Sequence, residues 1–349
     1  MLRHLLLKRT SGLAPSLATR AAFQSHKQAA VKPHSTNRAI TTVNEQRRSE
    51  TETLDPDLES FRQHAFTPEL PLVMRNSHLF APVRHWFVNH DGPSASLSDY
   101  LTQHSSVVFP YEFLHSTAPG DKDSVLSFID WLRAQDEQLA LCLAGTLSNT
   151  GRDIPEESTV FHQFFAPLDL LSKASEYNKL QATESRVKRL YIAQSQLNEL
   201  PEPLRNDLPV PSIVEHAGKG DVYDSSIWLG LEPTYTPLHR DPNPNLFVQL
   251  LSDKTIRLLT PTLGQQLYAR VQNQLGSRGN SRFRGTEMMQ GPERAALYDA
   301  VWGSELSEDI LEAVLQPNDA LFIPKGWWHS VRSNFHDGRL NASVNWWFR

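Results

Sequence analysis

Three residues with metal-ligating side chains have a spacing that would let them bind one ion. His239 and Asp241 lie two positions apart, and side chains at positions i and i+2 of a strand point to the same face. His329 follows a pair of tryptophans and would supply a third ligand from a distant strand. Two imidazoles and one carboxylate on one face of an octahedral ion leave three positions open. This is the arrangement of non-haem Fe(II) sites, in which a co-substrate and O2 both reach the metal.

A histidine and an aspartate two residues apart are a weak signal by themselves. The chain contains 14 histidines, so roughly one such pair is expected by chance. The surrounding residues strengthen the signal. Pro237 precedes the pair, and a proline fits the start of a strand, where its missing N–H group is not needed for sheet hydrogen bonding. The Pro-Asn-Pro-Asn run after Asp241 is typical of a loop. The context therefore favours a metal site at the end of a strand.

A lysine follows this motif in a segment that is otherwise apolar. Leu246–Leu251 and Lys254–Thr260 have the composition of strands, and Ser252-Asp253 between them predicts a hairpin turn. The side chains on one face of that hairpin would be Phe247, Gln249, Leu251, Lys254, Ile256 and Leu258. An ammonium group among apolar side chains needs an anion, although a lysine at a hairpin end also reaches water easily. The spacing alone leaves both interpretations open.

Several short motifs in the C-terminal half match one known family. They are Leu190–Gln194, Thr236–Asp241, Asn245 with Phe247, Lys254, Asp319–Pro324, Trp327–His329 and Val344–Trp347. These motifs resemble the JmjC/cupin-8 family of Fe(II)- and 2-oxoglutarate-dependent oxygenases. Within that family they are most similar to the small JmjC hydroxylases, which include the asparaginyl hydroxylase of hypoxia-inducible factor. The resemblance runs from Tyr191 to Arg349, is weak from Pro68 to Ser172, and is absent from residues 1–60.

The resemblance implies a role for each matching residue. The iron ligands would be His239, Asp241 and His329. The distal carboxylate of 2-oxoglutarate would be bound by Lys254, Thr236 and Tyr191. Three further residues would lie near the metal and the co-substrate and help to bind the latter: Asn245, Phe247 and Asn345. These residue types suit their roles, because an ammonium group with three donors and neighbouring hydroxyls form charge-assisted hydrogen bonds with a carboxylate.

The same resemblance implies a fold that is mainly β with flanking helices. We expect a double-stranded β-helix (a cupin or jelly-roll barrel) with an α/β N-terminal region. The alternation of short strands and turns from Ile213 onward also favours a barrel. The expected organisation is a linker at 46–60, a mixed α/β region at 61–180 packed on the barrel, and a catalytic barrel at 181–349. An insert at 263–312 departs from the family pattern, so the sequence does not define the loops that face the substrate.

The implied activity is hydroxylation of a protein side chain, with Fe(II) as the metal and 2-oxoglutarate and O2 as co-substrates. Demethylation of N-methyl-lysine is an alternative, because Trp327, Trp328, Trp346 and Trp347 could form an aromatic cage for a methylated cation. Clustered tryptophans are more often barrel core. Hydroxylation of an RNA base would need a basic aromatic groove, which the sequence does not reveal. A cupin-like binding module without turnover is an alternative of another class.

Composition sets the broad class of the protein. The 349 residues can form one large domain or two small ones, and a net charge of −5 argues against a nucleic-acid-binding protein. A single cysteine, Cys142, excludes a disulfide framework and a multi-thiolate metal site. It lies in an apolar run, Leu139–Ala144, which predicts a buried strand. No apolar run reaches the eighteen or so residues that a membrane-spanning helix needs.

The N-terminal segment differs from the rest of the chain. Residues 1–44 contain seven lysines or arginines and no acidic residue, and four leucines within the first seven residues would form an apolar face beside Arg3, Lys8 and Arg9. A basic, acid-free, amphipathic segment predicts a mitochondrial transit peptide over residues 1–45 and a location in the matrix. A disordered basic tail, or a nuclear or nucleic-acid-binding arm, remains the alternative, with a cytoplasmic or nuclear location.

Overall fold

The structure is a computed structural model that describes residues 57–75, 85–89, 92–148, 159–276, 291–303 and 309–349, and the backbone of 41–42 and 45–47. These described residues belong to one compact unit. Apart from the few backbone positions at 41–42 and 45, the predicted transit peptide lies outside the described residues. Within the described part of the chain, every helix is too short or too polar to cross a membrane.

The described residues form sixteen strands and nine α-helices, and most of the helices connect strands along the chain. The strands are β1 (Thr41–Thr42), β2 (Glu45–Arg47), β3 (Leu72–Arg75), β4 (Phe87–Val88), β5 (Ser96–Leu97), β6 (Val108–Ser116), β7 (Thr159–Pro167), β8 (Leu190–Gln196), β9 (Val222–Leu231), β10 (Tyr235–Arg240), β11 (Asn245–Leu251), β12 (Lys254–Leu259), β13 (Leu311–Leu315), β14 (Ala320–Ile323), β15 (Trp328–Ser333) and β16 (Leu340–Phe348). The helices are α1 (Leu58–Phe61), α2 (Asp99–Thr102), α3 (Pro119–Gln135), α4 (Glu137–Ser148), α5 (Leu168–Leu180), α6 (Glu202–Asn206), α7 (Ser212–His216), α8 (Pro261–Leu275) and α9 (Gly291–Trp302).

Two large sheets form the walls of a barrel. One has the strand order β1-β13-β12-β15-β10, and the other has the order β2-β3-β14-β11-β16-β9-β8-β6-β7. Apart from β1 and β2, which pair parallel to their neighbours, the strands are antiparallel. Apolar side chains from both sheets, including Phe247, Ile256 and Leu321, pack into one core between them. The predicted jelly-roll barrel with flanking helices is therefore confirmed.

The predicted hairpin at Ser252-Asp253 is wrong. β11 pairs with β14 and β16 in one sheet, whereas β12 pairs with β13 and β15 in the other. Ser252, with a φ of 59°, turns the chain from one sheet to the other. Both strands are central and every residue in them is buried, so neither strand alternates between a buried and an exposed face. A turn signal between two strands shows that the chain reverses, but it does not show that the two strands pair.

The predicted face of that hairpin is only partly right. Phe247 and Ile256 pack inside the barrel, and the Lys254 ammonium lies 5.5 Å from the centre of the Phe247 ring. They meet because the two sheets face each other. Leu251 belongs instead to the larger core outside the barrel, and the Gln249 amide donates to a backbone carbonyl. A bulge between these two residues shifts the register of β11 against β16 and breaks the expected alternation.

The predicted buried strand at Leu139–Ala144 is also wrong, because the segment lies in α4. The Asp136 carboxylate accepts a hydrogen bond of 2.9 Å from the Leu139 amide and so starts the helix. Leu139 and Leu143 are then buried on one face, while Cys142 on another face is exposed. A short apolar run does not distinguish a strand from a helix.

The described part of the predicted insert is helical except at its C-terminal end, where Leu311 and Glu312 belong to β13 and pair with β12. α8 and α9 cover the outer face of the barrel and form a separate core with Leu238, Leu259 and Trp328. Gly264 makes this packing possible, because a β-carbon at that position would lie 2.1 Å from the Trp328 indole. The insert thus supports the strand that carries His329. Residues 277–290 and 304–308 of the insert lie outside the described residues.

Candidate metal centre

The three predicted metal ligands meet at one point of the barrel. β10 and β15 are antiparallel neighbours, and their register puts His239 opposite His329. Asp241 follows the end of β10, with its Oδ1 3.8 Å from His239 Nε2 and its Oδ2 3.6 Å from His329 Nε2. All three ligand atoms lie within 4.8 Å of one another. Strand pairing therefore brings together residues that are far apart in the sequence.

The two imidazoles are oriented by backbone carbonyls. His239 Nδ1 lies 2.9 Å from the Pro237 carbonyl oxygen, and His329 Nδ1 lies 3.3 Å from the Trp327 carbonyl oxygen. Because a carbonyl only accepts hydrogen bonds, each Nδ1 is assigned the proton. The lone pair of each Nε2 then faces the shared space, as in metal-bound histidines whose other nitrogen donates to a neighbouring group.

The Asp241 carboxylate is held by two side-chain donors. Trp347 Nε1 donates a hydrogen bond of 2.8 Å and Asn245 Nδ2 one of 2.9 Å to its Oδ2. Desolvation raises the pKa of Asp241, but His329, His239 and the two hydrogen bonds outweigh it, and the net pKa is lowered. A bound ion would take the Nε2 lone pairs of the two histidines together with the ionised carboxylate. This donor set fits a divalent transition metal such as Fe(II).

The amides of Asn245 and Asn345 continue this network into the adjoining cavity. Asn345 Nδ2 donates a hydrogen bond of 2.8 Å to Asn245 Oδ1, and because Asn245 gives its own amide hydrogen to Asp241, both amide orientations are fixed. Asn345 Oδ1 is buried without a hydrogen-bond partner among the described residues. A buried acceptor in this state costs about 1–3 kcal/mol. We therefore expect a bound ligand or water to donate to it.

A cavity of about 270 Å³ joins the triad to Lys254. The lysine is 2% exposed, and its Nζ donates to the Tyr191 hydroxyl at 3.0 Å and to the Ser343 hydroxyl at 2.8 Å. Thr236 lines the same cavity. A buried ammonium group is stabilised by an anion, and the hydroxyls around it are further donors to a carboxylate. The cavity therefore fits a small dicarboxylate with one end at the metal and the other at Lys254.

All predicted site residues line this one cavity, together with residues that the sequence reasoning missed. The missed residues include Gln194, Trp228 and Ser343. Ser343 lies two positions before Asn345 on β16, and this strand spacing was a signal that could have identified it. Gln194 has a φ of 54° and lies in a bulge of β8, which the alternation of a regular strand does not predict.

The four clustered tryptophans do not form one cage. Trp346 belongs to the large core, Trp327 to the barrel core and Trp328 to the core under the insert. Trp347 lines the cavity beside the triad. The tryptophans therefore serve mainly in packing, and Trp347 positions Asp241.

Comparison with known proteins identifies the family. A family model described as a cupin-like domain matches residues 58–349. A lysine-specific demethylase of Arabidopsis thaliana is 28% identical over 158 residues, which cover 45% of this chain and 33% of the relative. Lysine-specific demethylase 8 of Danio rerio is 32% identical over 161 residues, which cover 45% of this chain and 36% of the relative. Jumonji C domain-containing protein 5 of Drosophila melanogaster is 29% identical over 160 residues, with shares of 45% and 36%.

The chain thus spans between 33% and 36% of the length of these curated relatives. The resemblance to the JmjC/cupin-8 family is confirmed. Because the family model covers residues 58–349, well over half of the sequence, this protein belongs to the family of cupin-like domains.

Proposed function

We propose that this protein is an Fe(II)- and 2-oxoglutarate-dependent oxygenase that hydroxylates a side chain of a protein substrate. The observation that carries the proposal is one cavity with a His-Asp-His triad at one end and the buried Lys254 at the other. The triad has one negative charge for a divalent ion, and Lys254 has one positive charge for the far carboxylate of the co-substrate. When bound, iron and 2-oxoglutarate supply the oxidising chemistry, in which O2 oxidises a C–H bond and 2-oxoglutarate becomes succinate and CO2.

The residues of the cavity bind and orient these groups. Lys254, with the hydroxyls of Tyr191 and Ser343 beside it, would hold the distal carboxylate. The hydrogen bonds from Trp347 and Asn245 keep Asp241 in the orientation that a ligand needs. No side chain is required as a general acid or base, because the oxidation belongs to the metal and the co-substrate.

Three observations support hydroxylation of a side chain over demethylation of lysine. Among the described residues that line the cavity, Asp241 is the one carboxylate, and it belongs to the triad, so a methylated ammonium group finds no counterion there. Three of the four clustered tryptophans lie in separate cores, and the fourth, Trp347, donates a hydrogen bond to Asp241. One cysteine and a net charge of −5 do not suit a zinc-binding reader of chromatin.

Demethylation of N-methyl-lysine is the second candidate, because two of the relatives are named lysine-specific demethylases. Both activities would use the same triad and the same Lys254. They differ in their products, since hydroxylation leaves an oxygen on the substrate, whereas oxidation of an N-methyl group releases that methyl as formaldehyde.

Mass spectrometry of proteins from cells that carry either the intact protein or its His239→Ala variant separates these possibilities. We expect specific peptides that contain one additional oxygen only with the intact protein. Methyl-lysine that accumulates in the variant, without any lost hydroxylation, would favour the demethylase. Identical proteomes in both cells, with no succinate formed by the purified protein in the presence of candidate peptides, would favour a binding module without turnover.

We also propose that residues 1–44 direct the protein to mitochondria. Their seven basic residues and lack of acidic residues support this. Fused to a fluorescent reporter, the segment should carry the reporter into mitochondria. A control segment in which Arg3, Lys8 and Arg9 are replaced by Glu should leave it in the cytosol. A reporter that stays cytosolic or enters the nucleus with the natural segment would contradict the proposal.

A further inference from the structure

A second cavity of about 270 Å³ carries a group of arginines that the proposed function does not use. Arg189, Arg294 and Arg332 line it, together with His336. We propose that this cavity binds a small oxyanion, either a carboxylate or a phosphate.

The cavity lies outside the barrel wall. Tyr235 and Arg332 are partners in the register of β10 and β15, and the next pair is Thr236 with Val331. Thr236 and Val331 line the first cavity, whereas Tyr235 and Arg332 line the second. This is expected because neighbouring residues of a strand point to opposite faces. The two cavities are therefore distinct, although Tyr191 borders both.

The lining comes from three separate parts of the fold. β15 supplies Arg332, the insert helix α9 supplies Arg294, and the segment before β8 supplies Arg189. The three parts meet between the insert helix α9 and the end of the larger sheet that contains β8, β6 and β7. A pocket built from three such parts has a defined shape, unlike a row of arginines along one exposed helix.

Aromatic rings hold two of the guanidinium groups in place. The Arg332 guanidinium carbon lies 4.2 Å from the centre of the Trp302 ring, and its Nη1 donates to the Tyr298 hydroxyl at 3.3 Å. The Arg294 guanidinium carbon lies 4.6 Å from the centre of the Tyr235 ring. Stacking uses the face of a guanidinium and leaves the N–H groups in its plane to donate. These groups suit an oxyanion, which accepts two parallel hydrogen bonds from one arginine.

Acidic residues balance only part of this positive charge. Glu112 lines the cavity, and Arg189 Nη1 lies 3.4 Å from Asp121 Oδ2. Among the described residues, the ion pairs do not include Arg332. Arg332 thus presents its positive charge to a space with aromatic walls, and such a charge attracts an anion.

Isothermal titration of the metal-free protein with sodium phosphate, and separately with sodium malonate, tests this site. Sodium chloride at equal ionic strength serves as the blank, because salt alone changes electrostatic binding. The titrations use the Lys254→Ala background, which removes the positive charge of the first cavity. We expect saturable binding of at least one anion, weakened about tenfold or more by Arg332→Gln with Arg294→Gln. Arg205→Gln, a substitution of an exposed arginine, should leave binding unchanged.

A conservative variant guards against misfolding of the double variant. Arg332→Lys keeps the charge but loses the planar fork, so we expect it to fold and to bind more weakly than the parent. Binding of phosphate alone or of malonate alone would identify the source of the anion. Absence of saturable binding for both anions would overturn the proposal. Equal affinity in the parent, the double variant and Arg332→Lys would overturn it as well.

Discussion

Replacement of Asp241 by alanine should lower the affinity for Fe(II), or for Mn(II) as its stable substitute, by more than about 100-fold. Loss of a residue that only supports a metal ligand typically costs about 10–100-fold, and Asp241 would be a ligand itself. It also supplies the only negative charge of the triad, so its loss leaves the two histidines alone to bind the ion. Equilibrium dialysis with Mn(II) measures the change directly and does not depend on activity.

Trp347→Phe is the matched control for this experiment. It keeps all three ligands and removes the hydrogen bond of 2.8 Å to Asp241. We expect a smaller loss of metal affinity, within about 10–100-fold. Unchanged Mn(II) affinity in Asp241→Ala would show that the three residues do not form the metal site.

Replacement of Lys254 by alanine should weaken the binding of 2-oxoglutarate by about 10- to 150-fold. This range corresponds to about 1.5–3 kcal/mol, the contribution of a hydrogen bond that involves a charged group. Metal affinity should not change, because Lys254 lies at the other end of the cavity from the triad. Titration of 2-oxoglutarate into the Mn(II)-loaded protein measures the effect, and unchanged affinity would exclude Lys254 as the carboxylate-binding residue.

Two further variants distinguish the contribution of the Lys254 charge from that of the hydroxyl groups around it. Ser343→Ala removes one partner of the Lys254 ammonium, and we expect the affinity for 2-oxoglutarate to fall by only about 2- to 13-fold, equivalent to a neutral hydrogen bond of about 0.5–1.5 kcal/mol.

Lys254→Met keeps the length of the side chain and removes a buried charge. Its thermal stability should stay equal to that of the parent or increase, while its affinity for 2-oxoglutarate falls.

The candidate site could be predicted from the sequence more fully than the strand pairing around it. The spacing of His239 and Asp241 and their sequence context indicated a metal site, whereas the role of Lys254 followed from the family resemblance, because its spacing alone left two interpretations open. The partner strands of β11 and β12 depend on pairings with residues far along the chain, which the Ser252-Asp253 turn does not encode. Gln194 was missed for a similar reason, because a bulge in β8 changes which side chains face the cavity.

The barrel's long-range pairing has a consequence for the order in which the protein folds and acquires its metal. β10 pairs with β15, and β11 pairs with β14 and β16, so the chain must close long loops before these contacts stabilise it. Such topologies fold slowly. His239 and His329 become neighbours only when β15 docks, so an unfolded chain has no preformed site that would retain iron. If the protein enters an organelle unfolded, it arrives without its metal, and the iron supply of that compartment determines how much of the protein becomes active.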